Sequence, residues 1–529
     1  MSIELEYEFL VGLLLAVVVL ELAAQRLRLP PAAALIVGGA ALAFVPGIPA
    51  VTIDPNLILV IFLPPLLLSS AYRTVWLDFK QYFAAISSLA IGAVVFTTVS
   101  VGYVVHWLRP DLPWSAAFAL GAVVSPPDAV AAKAVLEKLR LPNRLTAVLT
   151  GESLVNDASG LVLFHFALAS ALSGSFYPAS AVGSFLLVSV GGVAVGFCIG
   201  WISMRLLRRF GNSDLVVTGT ILLAAVSYMV SSAMGFSGVL ATVTTGLMLG
   251  WQQHEIFSAT TRIKAQAFWS IFVFLIESLL FILVGLSLRE ALDRFESLGE
   301  GVRSLAMPVA CVVLTVICAR FLWLFASDLL WTALVRVGIK PRNPPSIPIT
   351  VIASWAGMRG VVTLAAALSL PVGFPGRDLV LASAFGVILV TVLVQGTTLP
   401  LLIKLFPSIS LQSNSQLSRE EATARKKIAD IQIQTMQQHP VRNRRSGGID
   451  ENLFSVNTAP RVGIQTDSLR PLTVEHFEAV LAAIRVGRSE VLRMYRSGHL
   501  SDRAMKDIEQ DLDLKEIVAE RRLREGNPT

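Results

Sequence analysis

The residues equipped for chemistry lie in one stretch, Gly151-Glu152-Ser153-Leu154-Val155-Asn156-Asp157-Ala158-Ser159-Gly160. Glu152 and Asp157 supply carboxylates, Asn156 an amide and Ser153 a hydroxyl, all inside an apolar run from Leu145 to Ala171. An ionised carboxylate near a bilayer centre costs at least about 2.5–3.5 kcal/mol on insertion scales, so a chain that keeps one there has a use for it. At about 100° per residue, Ser153 and Asp157 fall about 40° apart on a helix, with Glu152 and Asn156 on the adjoining flank. All four side chains can face one cavity. A buried carboxylate can be neutralised by a proton or by a small hard cation, but hardly by both at once. Oxygen from Ser153, Asn156 and backbone carbonyls is the donor set such a cation prefers.

The rest of the chain must hold this group inside a membrane. Of 529 residues 54% are hydrophobic and 15% charged, with a mean hydropathy of +0.67. Apolar runs near twenty residues recur through the first four hundred positions, the pattern of a polytopic membrane protein. Glu4, Glu6 and Glu8 stand where a secretory signal carries basic residues, so the first apolar run is expected to stay as a helix. Cys198, Cys311 and Cys318 lie in apolar stretches without metal-ligand spacing and read as small core residues. The net charge of +6 comes from basic residues between hydrophobic runs, which topology explains better than a nucleic-acid partner.

Hydropathy gives about thirteen spans, at roughly 9–25, 32–46, 55–72, 83–107, 114–135, 145–171, 179–204, 214–233, 236–251, 267–288, 304–335, 346–370 and 379–404. The second and ninth are short enough that twelve is the alternative. With the N-terminus outside, the cytoplasmic junctions hold Arg26, Arg28, Arg73, Lys80, Lys133, Lys138, Arg140, Arg144, Arg205, Arg208, Arg209, Arg262, Lys264, Arg336, Lys340 and Arg342. The opposite junctions hold Arg109, Arg289, Arg294, Arg303 and Arg377. That bias sets the orientation, with the C-terminus inside.

Thirteen spans also accommodate two inverted six-helix repeats joined by the seventh. Spans five and twelve then correspond, and both have interrupted middles. One contains Ser125-Pro126-Pro127-Asp128, the other Gly357-Met358-Arg359-Gly360. Proline removes backbone donors and disfavours continuous helix. Broken segments at matching positions of two halves point to a midplane binding site in a secondary transporter; the plainer alternative is two unrelated kinks.

Further ionisable residues, Glu277 and Arg320, fall inside apolar spans, so pairing is expected. Arg359 has the fork to hold a carboxylate, with Asp128 or Glu152 as partner, and Glu277 with Arg320 makes a second pair. Asp157 is then the carboxylate left without a basic partner. A buried structural role is the bland reading of each of these residues, and for His165 a hydrogen-bonded interior histidine is preferred over a pH sensor. Residues 1–404 read as the membrane domain and 405–529 as a helical, charge-rich region, cytoplasmic and regulatory. Within it Val480, Leu481, Ile484, Val491, Leu492 and Met494 have helical apolar spacing.

The motif around Asp157, with Ser125-Pro126-Pro127-Asp128-Ala129-Val130, Gly357-Met358-Arg359-Gly360, Phe62-Leu63-Pro64-Pro65-Leu66-Leu67 and Phe281-Ile282-Leu283-Val284-Gly285-Leu286, resembles the cation:proton antiporter-1 family, the sodium/proton exchangers. The resemblance covers about residues 9–404. It implies a homodimer in the cell membrane, in which a core bundle moves against a dimerisation domain. It implies that Asp157 exchanges the ions, Ser153 helps bind the cation and Asn156 supports the site, while Glu152 braces Asn156 or Arg359. Asp128 and Arg359 would balance the crossing helix ends, and Glu277 and Arg320 would form a core ion pair. Members with Asn-Asp are generally electroneutral, in keeping with an Asn156 that cannot titrate. Many members have Thr-Asp-Pro where this chain has Pro127-Asp128-Ala129, and a glutamate or asparagine where it has Ser69-Ser70. Both departures bear on selectivity, and the first leaves coordination at the break to backbone carbonyls. The expected substrates are sodium and protons, with potassium or lithium as alternatives to sodium and no resident cofactor. A channel and a membrane sensor are the competing classes; the region after residue 404 has no catalytic or phosphate-binding motif, and an enzyme is not expected.

Overall fold

The computed structural model describes residues 3–27, 29–45, 58–74, 76–128, 143–173, 178–297, 301–336, 346–371, 373–438 and 474–526. All regular structure among these residues is helical. In hydrocarbon each backbone N–H and C=O must be satisfied within the protein, which for unbroken apolar runs means helix. Eight helices among the described residues are long and apolar enough to cross a membrane: Tyr7–Leu27, Phe83–Leu108, Arg144–Leu172, Gly183–Leu207, Ser213–Ala233, Ala259–Ser287, Leu305–Ala333 and Arg377–Lys404. Shorter apolar helices stand at Pro31–Ala43, Val60–Arg73 and Trp114–Val124. The chain is a multi-pass, all-helical membrane protein.

In chain order the helices are α1 (Ile3–Leu27), α2 (Pro31–Ala43), α3 (Leu63–Arg73), α4 (Trp76–Gln81), α5 (Phe83–Leu108), α6 (Trp114–Val124), α7 (Asn143–Ser173), α8 (Pro178–Leu207), α9 (Ser213–Ala233) and α10 (Gly238–Ile256). There follow α11 (Ala259–Ser297), α12 (Gly301–Arg336), α13 (Ile347–Trp355), α14 (Val361–Leu368), α15 (Arg377–Lys404), α16 (Pro407–Gln438), α17 (Val474–Arg496) and α18 (Asp502–Gly526). Wider π-turns precede α3 (Ile58–Phe62) and interrupt α5 (Ser88–Ala93) and α15 (Thr391–Gln395).

The chain divides into two compact units. The first comprises Met1–Ile256 and Ala267–Leu411. Within it α3, α8, α9 and α10 pack together, and α5, α6, α7, α12, α14 and α15 form a second group. Small residues let α6 and α14 sit deepest: Ala116, Ala117, Ala119 and Ala122 on one, Ala365, Ala366 and Ala367 on the other, are all buried. The second unit comprises Phe257–Gln266 and Gln412–Thr529, so it includes the first turns of α11. There α16, α17 and α18 bury Ala424, Ile428, Ala483, Ile484, Val491, Met505 and Leu512, and the hairpin between α17 and α18 turns at Gly498 with φ +75°.

Candidate functional site

Two helices stop in the middle of the first unit because their sequences stop them. Helix α6 ends at Val124, just before Ser125-Pro126-Pro127, and α13 ends at Trp355, with Ala356–Gly360 non-helical before α14 begins at Val361. The interrupted segments meet. The Asp128 backbone N–H donates to the Met358 carbonyl at 2.7 Å, and the Arg359 backbone N–H donates to the Thr391 hydroxyl at 3.0 Å. Thr391 passes its own proton back to Val387 O at 2.7 Å. Backbone groups released by the breaks are thus taken up by neighbouring segments, the condition for irregular chain at membrane depth.

Arg359 is buried at this crossing. Its Nε donates to Val124 O at 2.7 Å, at the C-terminal end of α6, and Nη1 donates to Gly357 O at 2.6 Å, just beyond the end of α13. A cation there opposes the negative ends of two helices. Asp128 sits at the opposite pole, its carboxylate against Gly360, the residue that precedes α14. A Cβ at Gly360 would overlap that carboxylate, so only glycine fits. The sequence leads to the expectation that Arg359 pairs with Asp128 or Glu152; instead its Nε and Nη1 donate to carbonyl oxygens.

Glu152 has another partner. Arg320 Nη1 and Nη2 donate to its Oε1 and Oε2 at 2.6 and 2.9 Å, with both side chains buried. The remaining nitrogen, Nε, donates to Ala353 O at 3.2 Å near the end of α13. A side chain at Gly357 would strike the Arg320 stem, so this glycine too is needed for close approach. The expected Glu277–Arg320 pair is replaced by Glu152–Arg320. The sequence places Glu277 and Arg320 on consecutive spans, but the two terminal nitrogens of Arg320 face the Glu152 oxygens and its Nε faces a carbonyl.

Asn156, fully buried, donates Nδ2–H to Pro127 O at 2.5 Å. A carbonyl can only accept, so the amide orientation is fixed and Oδ1 faces the other way, where it has no hydrogen-bond partner. Pro127 O, one of the backbone oxygens expected to coordinate at the break, is thus engaged by Asn156. Asp157 is half-buried, lies within electrostatic reach of Asp128, and makes no hydrogen bond or ion pair among the described residues. Ser153, one turn earlier, is half-buried as well. Ser69, at one of the departures noted above, is buried on α3, which packs against α10 and α7. His165 Nδ1 bonds Leu161 O of its own helix at 2.6 Å, and among the described residues no group of three or more His, Cys, Asp or Glu side chains could hold a metal ion.

Thr391, Ser159 and Trp323 carry no mark in the sequence that sets them apart. Ser159 Oγ lies 2.6 Å from Ala90 O in the π-turn of α5, and Trp323 Nε1 lies 3.3 Å from Ser88 Oγ in the same turn. Ser159 belongs to the polar stretch itself, and Trp323 follows Arg320 by one helical turn; neither spacing says what lies opposite.

A model of the sodium/hydrogen exchanger transmembrane region matches residues 12–405. The uncharacterized Na+/H+ exchanger YjcE of Escherichia coli is 30% identical over 501 residues, spanning 88% of this chain and 90% of that protein. A sodium, potassium, lithium and rubidium/H+ antiporter of Bacillus pumilus is 34% identical over 368 residues, 66% of this chain and 54% of that one. The solved structure of the sodium proton antiporter MjNhaP1 from Methanocaldococcus jannaschii has the same fold, with a TM-score of 0.60 at 19% identity over 75% of this chain and 98% of that one.

Proposed function

The chain belongs to the sodium/hydrogen exchanger family, and we propose that it exchanges a monovalent cation for a proton by competition at Asp157. The observation that carries this reading is the allocation of charge around α7. Glu152 is consumed by Arg320, Arg359 by helix-end carbonyls, and the Asp157 carboxylate holds no ion pair or hydrogen bond among the described residues. Beside it Asn156 Oδ1 is buried with its lone pairs unused. A proton removes the Asp157 charge in one half-cycle, and a cation balances it in the other, with Ser153 Oγ and Asn156 Oδ1 as further oxygens. Because one carboxylate cannot hold both, each ion displaces the other, which is antiport.

Sodium is the first substrate in this reading, and the names of the relatives keep potassium and lithium in play. With Asn156 unable to titrate, one cation moves per proton and the cycle is electroneutral. The cation is substrate, and no resident cofactor is required. Asp128 and Arg359 neutralise the crossing ends, and Glu277 belongs to the charge-balancing set. The protein works as a homodimer in the cell membrane, N-terminus outside and C-terminus in the cytoplasm, as the loop charges support.

The test is Asp157→Asn in proteoliposomes that report internal pH with a dye. Sodium-induced proton movement is expected to vanish while the variant elutes and melts like the parent; full activity in this variant ends the assignment. The same vesicles, challenged with lithium and potassium and with a clamped potential, rank the cations. Exchange that follows the potential steeply excludes electroneutrality.

A further inference from the structure

Three helices around the candidate site are tied in a closed ring. Glu152–Arg320 joins α7 to α12. Trp323, one turn along α12 from Arg320 and on the same face, joins α12 to the π-turn of α5 through Ser88. Ser159 joins that turn back to α7 through Ala90 O. A serine inside a membrane helix ordinarily bonds back to its own turn. Here Val155 O is available at 3.0 Å, yet Ala90 O is closer at 2.6 Å. The π-turn displaces carbonyls from their α-helical register and so presents one to a neighbour. Within it Gly92 makes room for the indole, since a Cβ there would overlap the Trp323 ring.

We propose that Ser159 and Trp323 are positioning residues, which fix the rotation of α7 and thereby the place of the Asp157 carboxylate. The inference rests on Asp157 as the exchanging group. Ser159 lies about 200° round the helix from Asp157, so it holds the back of α7 while Asp157 looks the other way. A side-chain tip stands about 5–6 Å from the helix axis, so each 10° of rotation moves it about 1 Å. Functional constellations tolerate about 0.5 Å. Asn156 holds the facing flank of α7 to Pro127 O, and the ring limits the roll that this bond leaves.

The experiment is a sodium titration of exchange in proteoliposomes at several pH values for Ser159→Ala, Trp323→Phe and the double variant. Ser159→Ala removes one donor and retains packing, and Trp323→Phe removes one donor together with the part of the ring that lies against Gly92. The half-saturating sodium concentration is expected to rise about three- to tenfold, the worth of one buried hydrogen bond, and the pH profile to shift, with maximal rate nearly kept. Opening the ring at either corner releases the same motion, so the double variant should match the stronger single one. A fall in maximal rate and melting temperature alone, with half-saturation and pH profile unchanged in both single variants, overturns the proposal, as does a double variant that multiplies the single effects. Should Ser159→Ala yield too little folded protein, Trp323→Phe carries the test. Activity in Asp157→Asn would remove the reading beneath; unchanged half-saturation in the brace variants, with Asp157→Asn inactive, removes the brace alone.

Discussion

Two buried arginines hold a carboxylate with two nitrogens each, but their surroundings differ. In the first unit Arg320 and Glu152 are exclusive partners. In the second, Arg262 near the start of α11 grips Asp513 through Nε at 2.9 Å and through Nη2, with Glu509 at 3.7 Å. Asp513 is shared with Arg488 at 2.7 Å, and Arg488 also pairs with Glu516. Around Glu152 one pair stands with Asp157 left out of it; in the other region Arg262, Asp513 and Arg488 each have a second partner. An exclusive pair keeps Arg320 from capturing Asp157, and a shared one makes a junction tolerant of losing a member. The exchange proposed at Asp157 calls for the first arrangement, and a structural cluster is served by the second.

The largest effect is expected where no substitute exists. Glu152→Gln or Arg320→Met leaves one buried charge without its partner, a loss of about 3–5 kcal/mol, and folded yield and melting temperature in detergent should collapse. Changing both at once should recover much of the yield without recovering transport. If Glu152→Gln folds as well as Asp157→Asn, the distinction between a committed and an uncommitted carboxylate on α7 fails.

In the second unit the order of damage follows from sharing. Asp513→Asn strips a partner from two arginines, whereas Arg262→Ala leaves Asp513 with Arg488. The first should lower the melting temperature more than the second, and both less than Arg320→Met; about 1–3 kcal/mol for Asp513→Asn is the scale of one buried hydrogen-bonded charge. Equal losses for Arg262→Ala and Arg320→Met would show that the network gives no protection.

Much of the site is legible in the sequence, because charge, proline and glycine are conspicuous in apolar runs. Asp157, the break at Pro126-Pro127 and the break around Arg359 each stand out, and the breaks do meet. The pairing is not legible. Arg320 reaches Glu152 across 168 positions, and nothing in the spacing distinguishes that partner from Glu277 on the preceding span. Nor do π-turns leave a compositional mark: Ser88–Ala93 reads as ordinary helix, so the role of Ser159 depends on a carbonyl no sequence pattern announces. In the second unit the apolar positions Val480, Ile484 and Val491 are buried as their spacing predicts, whereas the ion network, built from residues spread from 262 to 516, is a tertiary fact.

The smallest effect tests the exposed end of the same comparison. Glu490 on α17 accepts from Arg493 at 2.7 and 2.6 Å, one turn along its own helix, and meets Lys427 of α16 at 3.1 Å. The Arg493 hydrogen bonds, and then Lys427, hold its carboxyl well below its ordinary 4.5, at about 2. A carboxylate depressed on folding contributes stability that is fully present above its unfolded value and lost as pH falls through the folded one. Glu490→Gln should therefore melt slightly below the parent at neutral pH, and the gap should close between pH 4.5 and about 2. With Arg493 exposed, solvent screening keeps the difference small, and raising salt should shrink it further while leaving the Arg320→Met defect untouched. A Glu490→Gln deficit that is large, or that persists at the acid end, would mean that this surface pair behaves like the buried ones.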